Sequence, residues 1–195
     1  GIAEEIKQLE ILPNMSLIHL AWDGLSDYKS SIHLDYNLPQ SFNLIKSLVT
    51  RGVSQVLVTG TCFEYGFQNG PMHSSAKTSP NNSYASAKDT LRKQLETLTL
   101  EKSFCLQWGR LFYMYGKGQS PNSLLSQLGI AIKNDESKFN MSGGEQLRDY
   151  LPIEEVVQQL FDLYESGKCG TFNICSGNPI SCLLYTSDAA DDLRG

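Results

Sequence analysis

Tyr84 and Lys88 are the first residues of this sequence whose spacing suggests chemistry, because they stand four positions apart. On a helix that spacing places a phenol and an ammonium group on one face, one turn apart. A phenol with its ordinary pKa of about 10 is a poor base at neutral pH. A nearby cation favours the phenolate and lowers that pKa, so the pair predicts a proton shuttle. The same spacing is also typical of a solvated helix face, so the prediction depends on the neighbouring segments.

Thr61 is a third candidate, and it follows an apolar run at residues 55–59 whose β-branched side chains predict a strand. Parallel sheets place their reactive groups beyond the carboxyl ends of their strands. A hydroxyl group there can hydrogen-bond the same substrate oxygen that Tyr84 protonates or deprotonates. The alternative interpretation of Thr61 is a turn residue beside Gly60.

Alternating apolar runs and helical patterns must position these side chains. Buried strands are predicted at residues 16–21, 55–59 and 104–112. Helices are predicted at residues 34–51 and 83–98, the second with Ser83 as its N-cap. This alternation predicts an α/β fold, a doubly wound parallel sheet with helices on both faces.

The pattern changes after residue 115, and the following segments predict a smaller part that covers the sheet. Helices are predicted at 123–132 and 154–165, and short strands near 138–140 and at 171–174. We therefore expect a sheet domain over residues 1–115 and a substrate-binding part over 116–181. Residues 182–195 do not continue the pattern and resemble translated sequencing-adapter sequence, so we expect a non-native tail.

Composition excludes several classes of protein. The net charge of −5 argues against a nucleic-acid or anionic-membrane surface, since both require a basic face. No apolar run approaches the length of a membrane span, so we expect no membrane partner. The five cysteines lack CxxC spacing and predict neither a disulfide framework nor a zinc site. We expect reduced thiols, no bound metal and a cytoplasmic protein.

Taken in order, several motifs resemble those of the extended short-chain dehydrogenases/reductases, specifically the nucleotide-sugar epimerase/dehydratase/reductase group. The resemblance covers roughly residues 15–181. The motifs that carry it lie at residues 18–21, Asn37 with 41–45, residues 59–66, Pro80 with 84–88, residues 110–116, 146–150 and 172–177. Each motif is loose, but their shared order is specific.

The resemblance implies a role for individual residues. It implies Thr61, Tyr84 and Lys88 as the catalytic set. It implies contacts to NAD or NADP from Leu20, Ala21, Asn37, Tyr84 and Lys88. It implies substrate contacts from Tyr113 and Arg148, with Arg148 binding the diphosphate of a nucleotide-linked sugar. A homodimer is one assembly that the resemblance allows.

Departures from the family pattern narrow these expectations. Cys62 and Phe63 stand where the 4,6-dehydratases of the family carry an acid pair, which disfavours dehydration. No Gly-rich turn for a cofactor pyrophosphate precedes Ser16. We therefore expect a partial Rossmann-type sheet that lacks its first βαβ unit, in an N-terminally truncated chain that binds NAD(P) weakly or not at all.

Three functions follow as hypotheses. The first is an NAD(P)-dependent reductase of the 4-keto group of a nucleotide-linked deoxyhexose in polysaccharide precursor synthesis. The second is a nucleotide-sugar 4-epimerase, which differs in returning the hydride to the opposite face. The third, of another class, is a non-catalytic NAD(P)-sensing protein or an inactive fragment.

Overall fold

Four parallel strands form the main sheet of this protein. The structure is a computed structural model, and it describes residues 10–12, 14–136, 138–140, 143–184 and 186. The strands are β1 Ser16–His19, β2 Gln55–Thr61, β3 Cys105–Leu111, β4 Tyr113–Tyr115, β5 Leu147–Arg148, β6 Tyr150–Pro152, β7 Gly170–Ile174 and β8 Ile180–Ser181. In the main sheet the strand order is β1-β2-β3-β7. The α-helices are α1 Leu38–Thr50, α2 Ser83–Glu101, α3 Leu124–Lys133 and α4 Ile153–Ser166. A π-helical segment His33–Asn37 precedes α1, and a 3₁₀ turn Cys62–Tyr65 follows β2.

Helices α1 and α2 cover one face of this sheet. Val56 and Val58 are two positions apart on β2, so their side chains point to the same face of the sheet. Both enter an apolar cluster on that face. The cluster also contains Ile45, Leu48 and Val49 of α1, Leu91, Leu95 and Leu98 of α2, and Val53, Leu106 and Trp108. Burial of these side chains supplies the main driving force that fixes α2 against β2.

Helix α4 covers the opposite face and is fixed there by side-chain amides. Gln107 donates to the Leu163 carbonyl oxygen at 2.6 Å, and Gln55 donates to the Tyr164 carbonyl oxygen at 2.7 Å. Leu160 lies close to Gly109 on β3, where the missing side chain leaves room for the helix. The predicted α/β sheet with helices on both faces is confirmed.

The chain divides into two compact units. The first runs to Leu111 and includes Leu160–Ile174, and the second comprises Phe112–Gln159 and the residues from Cys175 onward. The strand predicted at 171–174 therefore belongs to the main sheet, where β7 pairs in parallel with β3. In the second unit β4 pairs with β6, and β5 pairs with β8.

Two local predictions were wrong. The N-cap of α2 is Asn82, whose side-chain oxygen accepts the Ala85 amide at 2.8 Å, and Ser83 is the first helical residue. Residues 138–140 form no strand. A short segment forms a strand only when a neighbouring strand offers backbone partners.

Of the proposed non-native tail, residues 185 and 187–195 lie outside the described residues. Among the described residues, no helix is long and apolar enough to cross a bilayer.

The expectation of five reduced thiols is also corrected. Cys105 at the start of β3 is disulfide-bonded to Cys169, which directly precedes β7. The two residues are 64 positions apart in sequence, and only the pairing of β3 with β7 brings them together. Sequence spacing could not predict this bridge because it depends on the strand order.

His19 at the end of β1 is buried, and its Nδ1 atom has no hydrogen-bond partner among the described residues. Burial, and then the positive charge of Lys88, lowers the pKa of His19 from 6.5 to about 4. The folded chain therefore favours the neutral ring.

The disulfide makes a countable prediction. Denatured without reductant, the chain should react with a thiol reagent at three cysteines, Cys62, Cys175 and Cys182. After reduction it should react at all five. A Cys105→Ser variant should react additionally at Cys169 without reductant. Five reactive thiols in the unreduced wild-type chain would contradict the bridge.

Acid should destabilise the fold through His19. Because its folded pKa lies below its unfolded pKa, its contribution to stability is present above pH 6.5 and is lost as the pH falls through about 4. Between neutral pH and pH of about 4.5 the wild type should lose about 2 kcal/mol more unfolding free energy than His19→Gln. Urea denaturation measures the difference. His73→Gln, at an exposed histidine, is the matched control and should follow the wild type. Equal losses in the wild type and in His19→Gln would contradict the assignment.

Candidate active site

Thr61 is the last residue of β2, at the carboxyl end of the sheet. It caps the 3₁₀ turn that follows: its Oγ1 accepts the Phe63 amide at 3.3 Å, and its own amide donates to the Glu64 carboxylate at 2.9 Å. Thr61 and Glu64 also form a capping box, in which each side chain accepts from the other residue's backbone, so these bonds fix both the backbone and the hydroxyl group of Thr61.

Tyr84 lies in the first turn of α2, where the Asn82 cap sets the start of the helix. A hydrogen bond with the Thr61 side chain lowers the pKa of Tyr84, which means that this bond stabilises the phenolate. That Thr61 and Tyr84 act on the same substrate oxygen stays a prediction.

Aromatic rings surround Tyr84. The Tyr28 ring stacks on it with centroids 5.2 Å apart, and the rings of Trp22 and His33 meet it edge-on at 6.1 Å and 5.4 Å. Phe63 closes the group by contacting Tyr28 at 5.4 Å. Burial among these rings is the largest effect on Tyr84 and raises its pKa above the ordinary value, with the Tyr28 phenol adding to the rise.

Lys88 lies one turn further along α2 and is 2% exposed. Its Nζ donates to the Thr59 carbonyl oxygen at 2.8 Å and lies 4.0 Å from the centre of the Trp22 ring. Burial lowers the pKa of Lys88 from 10.5 to about 7, and the charge of Glu64 opposes that fall. At neutral pH the side chain therefore titrates between its two forms.

One sequence expectation about this pair needs correction. Lys88 was expected to lower the pKa of Tyr84, but the pKa of Tyr84 is raised. The reason is that the ammonium group is directed to the Thr59 carbonyl and the Trp22 ring, while desolvation dominates at the phenol.

His33 fixes the ring that covers Lys88, and sequence reasoning missed this role. The Trp22 indole donates to His33 Nδ1 at 3.0 Å, and His33 Nε2 donates to the Asp27 carbonyl oxygen at 2.9 Å. Because a carbonyl only accepts, the proton of the neutral ring lies on Nε2. The pattern Trp22 to His33 spans 11 positions without a periodic signal, so only the fold reveals it.

The three remaining predicted cofactor contacts lie in the same unit. Leu20 and Ala21 follow β1 and are exposed at its carboxyl end. Asn37 is buried, and its side-chain nitrogen donates to the Asp23 carbonyl oxygen at 2.9 Å. Asn37 therefore holds the loop after β1 in place, and a direct contact from Asn37 to a cofactor stays a prediction.

Tyr113 and Arg148 belong to the second unit, where the structure brings them together. The Arg148 guanidinium lies 5.1 Å from the centre of the Tyr113 ring. The neighbouring Asp149 carboxylate instead accepts the amides of Ser176 and Gly177, both at 2.7 Å. The guanidinium is thus held over an aromatic face. No group of three His, Cys, Asp or Glu side chains within the described ranges forms a metal site.

Known proteins resemble this chain in sequence and in structure. The dTDP-6-deoxy-L-talose 4-dehydrogenase (NAD(+)) of Aggregatibacter actinomycetemcomitans is 28% identical over 177 residues, which cover 90% of this chain and 65% of that protein. The UDP-N-acetylglucosamine 4-epimerase from Methanobrevibacter ruminantium M1 has a TM-score of 0.83 at 22% identity, with 97% of this chain and 65% of that chain covered. RMD from Pseudomonas aeruginosa, solved with NADPH, has a TM-score of 0.82 at 22% identity, with 98% and 71% covered.

This chain spans 65% of the length of the first two of these proteins. The family model of the NAD dependent epimerase/dehydratase family matches residues 16–175. That match covers most of the 195 residues and contains Thr61, Tyr84 and Lys88 in one cluster. The chain belongs to the NAD dependent epimerase/dehydratase family.

Proposed function

We propose that the protein is an NAD(P)-dependent oxidoreductase that acts at C4 of a nucleotide-linked deoxyhexose, and that it works as a 4-keto-sugar reductase. The observation that carries the proposal is the placement of Thr61 at the carboxyl end of β2 beside helix α2, whose Tyr84 lies one turn before Lys88, with Lys88 bonded to Thr59 of the same strand. The 28% identical relative is a sugar-nucleotide 4-dehydrogenase, which catalyses the same exchange at C4 in the opposite direction. Because the chain spans 65% of that relative, substrate and activity are proposed for the protein that carries it.

The residues at the carboxyl edge of the sheet fit a nicotinamide cofactor. Leu20 and Ala21 are exposed at the end of β1, beside the strand that carries Thr61. Within the part of the chain that the structure describes, the Lys88 ammonium donates to one oxygen, the Thr59 carbonyl, and its other side faces the Trp22 ring. When bound, the cofactor supplies the hydride at its nicotinamide ring.

The protonation state of Tyr84 suits the proton-donating step of a ketone reduction. Its pKa is raised by burial, so the phenol carries its proton at neutral pH. A protonated phenol donates to a 4-keto oxygen as that oxygen gains negative charge. The Thr61 hydroxyl hydrogen-bonds the same oxygen and holds it in line with Tyr84. The Thr61 side chain, which lowers the pKa of Tyr84, stabilises the phenolate that remains after the transfer.

Epimerisation at C4 is the second candidate, because the 4-epimerase from Methanobrevibacter ruminantium M1 shares the fold.

The turn after Thr61 argues against dehydration. Phe63 contacts the Tyr28 ring and cannot transfer a proton, and Cys62 replaces a carboxylic acid. Arg148, which lies over the Tyr113 ring, suits the diphosphate of the substrate, since a guanidinium binds phosphate oxygens in pairs.

The homodimer stays a prediction. The cytoplasmic location was expected because all cysteines were taken to be reduced, and the disulfide removes that reason.

The protein expressed from its complete reading frame should oxidise NADH or NADPH when given a dTDP-4-keto-6-deoxy sugar. Tyr84→Phe should lower kcat by about a hundredfold or more, because it removes the transferred proton while keeping the ring. Loss of the near-ultraviolet absorbance of the reduced nicotinamide measures the rate. Tyr36→Phe, at a ring that is 54% exposed, is the matched control and should keep wild-type turnover.

The outcomes separate the candidate functions. Stoichiometric loss of reduced cofactor supports the reductase, and isomerisation without net loss supports the epimerase. Binding of NADPH without turnover of any sugar nucleotide would favour a regulatory protein. Near-normal turnover by Tyr84→Phe would contradict the proposed chemistry.

A further inference from the structure

Glu64 is a fully buried carboxylate directly behind the candidate active site, and its exposed fraction is 0%. Its Oε1 accepts the Thr61 amide at 2.9 Å and the Trp108 indole nitrogen at 3.0 Å. Its Oε2 accepts the Arg110 Nε at 2.7 Å. All three partners donate, so the bonds satisfy an ionised carboxylate on both oxygens.

Burying this charge is costly, which suggests a purpose beyond packing. Desolvation raises the pKa of Glu64, and the charge and hydrogen bonds of Arg110 oppose that rise. Replacing a buried ion pair by apolar side chains of similar volume is often neutral or stabilising. Gly60 adds to the specificity of the arrangement, because a Cβ there would collide with the Trp108 indole and with the Glu64 carboxylate.

Glu64 acts on the end of β2 at one point, the backbone amide of Thr61. That bond is one half of the capping box, and the Thr61 side chain supplies the other half while its Oγ1 also accepts the Phe63 amide. An interaction of the Thr61 side chain lowers the pKa of Tyr84. Hydrogen bonds therefore lead from Arg110 through Glu64 to Thr61, one of the two residues of the proposed proton transfer.

We propose that Glu64 is a positioning residue, which holds Thr61 so that its hydroxyl meets Tyr84 and the 4-keto oxygen. This inference rests on the proposed function, in which Thr61 and Tyr84 contact the same substrate oxygen. Trp108 and Arg110 anchor the Glu64 carboxylate to β3, so the position of Thr61 is set by two neighbouring strands.

Charge is a separate effect of Glu64 and must be kept apart from position. The carboxylate raises the pKa of Lys88 and that of Tyr84. Other titratable or charged groups around the site are His19, Tyr28, His33, Cys62 and Arg92. Glu64→Asp keeps the negative charge and shortens its reach to Thr61, so it tests position alone.

A double-mutant cycle with Thr61→Val tests the proposal on the protein expressed from its complete reading frame. In the wild-type background Glu64→Asp should lower kcat about tenfold and leave KM for the sugar nucleotide nearly unchanged. In a Thr61→Val background, itself about a hundredfold slower, the same change should cost less than about twofold, because the group that Glu64 positions is gone. Additive losses would overturn the proposal.

Two further variants keep the cycle interpretable. Asp89→Asn is the control, because it removes a second buried carboxylate, this one on α2. The Asp89 carboxylate pairs with Arg92 at 2.8 Å and with Lys93 at 2.6 Å. Its effect on kcat should be additive with that of Thr61→Val. If Glu64→Asp does not fold, as judged by circular dichroism, Glu64→Gln takes its place. Any loss caused by its missing charge appears in both backgrounds and cancels in the coupling.

Failure of this inference is distinguishable from failure of the proposed function. An inactive Tyr84→Phe together with additive effects of Glu64 and Thr61 would overturn the positioning role alone. A fully active Tyr84→Phe would overturn the proposed function, whatever the cycle shows.

Discussion

The hydrogen bond from the Lys88 ammonium to the Thr59 carbonyl, at 2.8 Å, ties helix α2 to strand β2 at the place where both carry candidate catalytic groups. Moving one turn back along the helix from Lys88 reaches Tyr84, and moving two residues forward along the strand from Thr59 reaches Thr61. One contact in the interior thus sets the part of the helix that carries the phenol against the end of the strand that carries the hydroxyl. The apolar cluster that contains Val58 of β2 and Leu91 of α2 lies beneath this contact and excludes water from it.

Exclusion of water from this region has opposite effects on the two ionisable groups. It raises the pKa of the phenol and lowers the pKa of the ammonium to about 7, so both groups favour their uncharged forms. For a proton donor this is useful, since Tyr84 keeps its proton until a substrate oxygen develops charge. The aromatic rings of Trp22, Tyr28 and Phe63 produce this environment, and His33 fixes Trp22.

Much of this arrangement could be predicted from the sequence. The β-branched run before Thr61 and the spacing of Tyr84 and Lys88 reflect local periodicity, which a single chain displays directly. The contacts of Trp22 with Lys88, of Glu64 with Trp108 and of the two disulfide cysteines could not be predicted, because each joins residues that are far apart in sequence and adjacent only in the fold. The direction of the Tyr84 pKa shift was missed for a related reason. Sequence shows which charges are near along a helix, but it does not show how much water surrounds them.

The capping residue of α2 illustrates a smaller ambiguity. Asn82 and Ser83 are adjacent and both favour N-caps, and the helix begins after Asn82 because its side-chain oxygen reaches the Ala85 amide. In the second unit the prediction that Tyr113 and Arg148 share a task is compatible with their contact at 5.1 Å, while the substrate contact itself stays a proposal.

The most direct test of the account follows the hydride itself. NADH or NADPH deuterated at the reactive position of its nicotinamide ring would be incubated with the protein and a dTDP-4-keto-6-deoxy sugar, and the product sugar would be analysed by mass spectrometry. The account predicts that the deuterium appears at C4 of the sugar in proportion to the cofactor oxidised, and that Tyr84→Phe suppresses this transfer. A product formed without the label at C4 would contradict reduction by this site.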